Sequence, residues 1–95
     1  MKKIIYQKEL HPDILISIDG IGLTMMKLQE YEKAIKYQKK TLQLWEELKE
    51  NKRNNQNYAI SLNNLSQTLK RKGELDKAFF LMKISYEILK SIMSD

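Results

Sequence analysis

The stretch "ISLNNLSQTLKRKGELDKAFFLMK", residues 60–83, decides how the chain is read, because "ISIDGIGLTMMKLQEYEKAIKYQK" at residues 16–39 anticipates it at an offset of 44. Ile16, Ser17, Thr24, Glu30, Lys33, Ala34 and Lys39 fall on the identical residues Ile60, Ser61, Thr68, Glu74, Lys77, Ala78 and Lys83. The same offset pairs Ile18 with Leu62, Ile21 with Leu65, Met25 with Leu69 and Ile35 with Phe79, and sets Gly22 on Ser66 and Thr41 on Ser85. A period of about 20 to 50 residues marks stacked supersecondary units.

Each unit carries apolar residues at steps of four and three. Ile14, Ile18, Ile21, Met25 and Leu28 form one such stripe, and Tyr58, Leu62, Leu65 and Leu69 the other. That spacing is one face of a helix. A second helix follows in each unit, through Tyr31, Ala34, Ile35, Leu42, Trp45 and Leu48, and through Leu75, Ala78, Phe79, Met82, Tyr86, Leu89 and Ile92. Helices are expected over 13–27, 31–49, 57–72 and 75–92, with Asp13 and Asn57 able to cap the first helix of each unit. "KLQEYEKA" and "KRKGELDKA" leave room only for tight turns, so paired helices run antiparallel. Gly22 and Ser66, Ala34 and Ala78, and Thr41 and Ser85 are small where such helices approach most closely.

Composition agrees with an all-α chain. Ninety-five residues make one domain, and one Pro and three Gly are too few for a turn-rich β protein. There is no cysteine, which removes disulfides, thiolate metal sites and a Cys nucleophile and fits a cytoplasmic location. The apolar run after the first lysines, Ile4 to Tyr6, is too short for a signal peptide, and no stretch reaches the roughly 18 apolar residues of a membrane helix. The net charge of +5 sets 15 Lys and 2 Arg against 12 Asp and Glu. With so little bidentate guanidinium, this balance argues against base-specific nucleic-acid reading and favours acidic partners.

"HPDILISIDGIGLTMMKLQEYEKAIKYQKKTLQL" and "NYAISLNNLSQTLKRKGELDKAFFLMKISYEIL" resemble tetratricopeptide repeats of the kinesin-light-chain type, whose units open with "HPD", continue with "SLNNLA" and turn on "G-x-Y-x-x-A". Gln29 replaces the turn glycine of the first unit, Leu75 the turn tyrosine of the second, and the second lacks "HPD". The resemblance implies a short right-handed α-solenoid of antiparallel helix pairs. Repeat 1 is expected over 11–50, a linker over 51–56, and repeat 2 with the C-terminal helix over 57–95. Residues 1–10 resemble the end of a preceding unit's second helix.

The resemblance also implies a non-enzymatic interaction module, in which the first helix of each unit lines a concave groove that holds a protein or peptide. It puts Asn63 and Asn64 on that groove, and helical spacing adds Gln67, Lys70 and Arg71. Amides that donate and accept can clamp a peptide backbone, and the two cations would favour acidic residues beside it. Two readings of the asparagines stand open: they touch a ligand, or they tolerate solvent on an exposed face. The first unit offers Asp19, Gly20, Leu23, Met26 and Lys27 instead, an apolar seat at Leu23 and Met26 that a partner or the N-terminal segment could cover. Gly20 stands mid-helix, where close approach of a ligand or of residues 1–10 would account for it.

Other chemistry finds no constellation. "GIG" at 20–22 lacks the third glycine and the preceding strand of a phosphate loop. His11 has no companion ligands for a metal, and Glu30 with Glu32 and Glu46 with Glu47 read as solvated charges. No cofactor is implied. The basic run "KENKRNNQN" at 49–57 has no interleaved aromatics for base stacking and reads as the inter-unit linker. The last helix, "AFFLMKISYEILKSIM", is apolar around most of its circumference, with Phe79, Met82, Tyr86 and Leu89 expected inward and Phe80, Leu81, Ile84 and Met93 left over. The alternative function is therefore structural: a homo-oligomer or array fragment that associates through Phe80 and Ile84.

Overall fold

The computed structural model describes residues 11–48 and 50–94, which form four helices: α1 (Pro12–Lys27), α2 (Tyr31–Leu48), α3 (Lys52–Lys72) and α4 (Leu75–Met93). Each packs on its neighbours in chain order, and α3 also reaches α1. Two helix pairs thus stack as a short all-α solenoid. Residues 1–10, expected to continue a preceding unit, lie outside the described residues.

The same turn is built twice. After α1, Gln29 takes φ 65°, its N–H donating to the Met26 carbonyl and that of Glu30 to the Met25 carbonyl, both at 2.9 Å. After α3, Gly73 takes φ 101°, and the Glu74 N–H donates to the Leu69 carbonyl at 2.8 Å. Met25 and Leu69 are one repeat apart. The left-handed residue closes the last carbonyls of each helix and reverses the chain. Glycine does so without strain, whereas glutamine does so against its Cβ.

The six small residues mark the closest helix contacts, for Gly22, Ala34, Thr41, Ser66, Ala78 and Ser85 are all buried. A hydrogen bond of 2.7 Å from the Ser85 hydroxyl to the Ala59 carbonyl ties α4 to α3. The core lies along α2 and α3. Ile35, Leu65, Leu69 and Ala78 form one cluster, supported by Leu42 and Leu81. Leu15, Leu44 and Trp45 form the other, supported by Ile18, Leu48 and Tyr58.

Three expectations are corrected. First, α3 starts at Lys52, so residues 52–56 are helix and not linker; Asn51 caps it, its side-chain Oδ1 accepting the Asn54 N–H at 2.8 Å. Asn57 is a helical position and caps nothing. Similarly, α1 starts at Pro12 behind His11, whose Nδ1 accepts the Asp13 N–H at 3.3 Å. Second, the buried face of α1 is Leu15, Asp19, Gly22 and Met26, while Ile14, Ile21 and Leu28 are exposed. Third, Phe79, Met82 and Tyr86 of α4 are exposed, and its contact with α3 is made around Ala78 and Ser85. The reason is common to the last two. In α3 the stripe Tyr58, Leu62, Leu65, Leu69 faces the preceding unit and covers α2; among the described residues no unit stands before the equivalent stripe of α1, and none lies over α4 as α3 lies over α2.

Candidate binding groove

Equivalent isoleucines of the two units, Ile16 and Ile60, line one surface cavity. α1 and α3 lie side by side, and Ile16, Gly20 and Leu23 of the first face Asn57, Ile60 and Asn64 of the second around a cavity of about 330 Å³. Ile16 and Ile60 are 52% and 44% exposed, an apolar pair presented to solvent rather than to the core. Asp19, Ser61 and Trp45 also line the cavity.

Below the cavity a carboxylate is held by the second unit. Asp19 is 6% exposed, and its Oδ2 accepts the Asn64 amide at 2.6 Å and the Ser61 hydroxyl at 3.1 Å. The other oxygen, Oδ1, is buried with no protein partner. Burial pushes the Asp19 carboxyl above its usual range, against the opposing pull of the Asn64 and Ser61 hydrogen bonds. Gln38, fully buried, donates from Nε2 to the Asn64 backbone carbonyl at 3.3 Å. Asn64 is thus gripped from both sides.

The two asparagines are separated by this arrangement. Neighbouring helical residues point about 100° apart, so only Asn64 faces the cavity; Asn63 is half-buried beside it, its carbonyl accepting the Ser66 hydroxyl at 2.6 Å. Gln67 and Arg71 are exposed further along the stripe that runs through Asn57, Ile60 and Asn64, whereas Lys70 shares the side of Asn63. On α1, Leu23 lines the cavity and Lys27 is exposed one turn beyond it. Met26, expected on the same surface, is instead 3% exposed within the core. Gly20 has open space where a Cβ would stand.

Phe80, 65% exposed, borders a different hollow of about 690 Å³ between α2 and α4, walled by Ile35, Leu42, Leu65 and Leu81. Its rim is closed on itself by Lys72, which pairs with Glu32 and with Glu74. Ile84 is half-buried. Among the described residues no group of three or more His, Asp or Glu could hold a metal ion, and no helix is long and apolar enough to cross a membrane.

Reading from the sequence missed Ile16, Asn57, Ile60 and Ser61 as groove residues. The signal was present for three of the four: Ile16 matches Ile60, and Ser61 matches Ser17, as identities across the repeat at positions outside the expected core stripe.

In comparison with known proteins, a family described as tetratricopeptide repeat matches residues 13–91. No curated protein and no solved structure matches the chain.

Proposed function

We propose that this chain, which belongs to the tetratricopeptide repeat family, binds an extended segment of a partner protein in the groove between α1 and α3. The family comprises, in general, non-catalytic protein interaction modules. The observation that carries the reading is the exposed pair Ile16 and Ile60 on either side of a cavity floored by polar groups from both units. An apolar side chain of the ligand fills the space between the two isoleucines. Its backbone meets the amides of Asn57 and Asn64, and Gly20 lets it approach α1 closely.

Lys27 and Arg71 occupy equivalent positions in the two units, one or two turns past the cavity, and both are exposed. They favour a ligand with acidic residues on that side of its anchor, with Gln67 between them and the cavity. The kinesin-light-chain subtype is part of this proposal and is supported by "HPD" at 11–13 and "SLNNL" at 61–65.

The test is a binding titration by fluorescence anisotropy, using peptides selected on the protein from a displayed random library. Ile60→Asp should lower affinity about thirtyfold, near 2 kcal/mol for loss of a central apolar contact, with an unchanged melting temperature. Affinity equal to wild type in that variant would remove the groove from the reading.

A further inference from the structure

Unit 1 and unit 2 have the same interface-forming positions, but among the described residues the back of unit 1 is covered and that of unit 2 is not. On α2, Ile35, Gln38 and Trp45 are 9%, 0% and 1% exposed because α3 lies over them. Their equivalents on α4 are Phe79, Met82 and Leu89, and with Tyr86, the equivalent of Leu42, they form one stripe at helical spacing. Phe79 is 54% exposed, Met82 36% and Tyr86 64%. On the neighbouring first helices, Asp19 and Met26 are buried while their equivalents Asn63 and Lys70 are not.

What covers the back of unit 1 is the front stripe of α3, Tyr58, Leu62, Leu65 and Leu69. Its equivalent on α1 is Ile14, Ile18, Ile21 and Met25, of which Ile14 and Ile21 are 51% and 43% exposed. Among the described residues, α1 and α4 therefore present the two halves of an interface that α3 and α2 already form once.

We infer that the exposed end face of α3 and α4 receives α1 of a second copy of this chain, in the register that α3 takes on α2. In that register Ile21 and Met25 of the incoming copy meet Phe79, as Leu65 and Leu69 meet Ile35 within the chain. Met82 replaces Gln38, and the residue it meets changes from Asn64 to Gly20, so an internal hydrogen bond gives way to an apolar contact with bare backbone. The contact joins unlike surfaces, so it does not close after two copies and adds protomers head to tail. Phe80, on the side of the α2 and α4 hollow, lies outside it. This inference does not rest on the groove reading, because it is argued from the exposed stripes of α1 and α4 and not from a ligand held between Ile16 and Ile60.

The experiment is sedimentation velocity of the wild type and three variants over a range of concentrations. Wild type should grow past the dimer as concentration rises. Ile21→Lys, which spoils the front, and the double variant Phe79→Lys with Tyr86→Lys, which spoils the back, should each be monomeric alone with unchanged helicity by circular dichroism. Mixed, the two should form a one-to-one dimer and nothing larger, because one intact front and one intact back remain. Phe80→Lys should associate like the wild type. A wild type that is monomeric throughout, self-association of either spoiled variant alone, or a mixture that stays monomeric would overturn the proposal. Should Ile21→Lys prove poorly folded, Ile14→Lys on the same exposed stripe serves in its place.

Discussion

Asp19 joins the packing of the two units to the floor of the groove, and its chemistry can be read by titration. Its folded pKa lies above the ordinary value of 3.8, chiefly through burial. The group therefore contributes most to stability below that value, where it is protonated in both states, and the contribution is lost as pH rises through the elevated folded pKa. The difference in unfolding free energy between wild type and Asp19→Asn should shift against the wild type across that window, measured by urea melts at several pH values. A difference independent of pH would contradict the burial of the carboxylate. Asn64→Ala should cost about 1 to 3 kcal/mol of stability, since it leaves a buried carboxylate one donor short. The groove amide is thus a structural member as well as a candidate contact. At the turn, Gln29→Gly relieves a left-handed residue and should stabilise by about 1 kcal/mol, raising the melting temperature by about 4–8 °C.

Between helices, Gly22 and Gly20 make opposite predictions from the same residue type. A Cβ on Gly22 would stand 2.8 Å from Gln38 Cγ and 3.5 Å from the Ala34 carbonyl oxygen, whereas one on Gly20 meets nothing within 4 Å. Overpacking costs about 1–3 kcal/mol and removing a helix glycine returns about 1. Gly22→Ala should therefore lose on the order of 1 kcal/mol net, and Gly20→Ala should gain about 0.5–1 kcal/mol, both checked by thermal melts. The repeat made this level largely legible: helix count, turn positions and all six small contact residues follow from one offset. The start of α3 did not, because Asn51, Asn54, Asn55 and Asn57 are all acceptable caps by type, and only the bond from the Asn54 N–H to Asn51 Oδ1 selects among them. Nor did the inward face of α1. Its stripe was legible as helical, yet periodicity cannot say whether a face meets another unit or solvent. Asp19 was hidden for the same reason, since a carboxylate is placed in a core only by partners from another helix, here Ser61 and Asn64.

Across the whole molecule, the shortest dimension is 19 Å, about two helix diameters. A body that thin buries only one layer between its helices, so the remaining apolar side chains fall on its two ends and its concave face. Ile14 and Ile21 mark the front, Phe79, Met82 and Tyr86 the back, and Ile16 with Ile60 the groove. Each surface has its own expected occupant. The proposed contact between ends is apolar and should not be screened by salt, while the proposed binding of an acidic ligand beside Lys27 and Arg71 should weaken as salt rises. The most direct measurement of the central claim is an amide-resonance titration of the labelled protein with a library-selected peptide. Shifts centred on Ile16, Gly20, Leu23, Ile60 and Asn64, and abolished by Ile60→Asp, are the predicted result. Shifts confined to α4 or to the exposed stripe of α1, or a library that yields no binding peptide, would contradict the groove as the working surface.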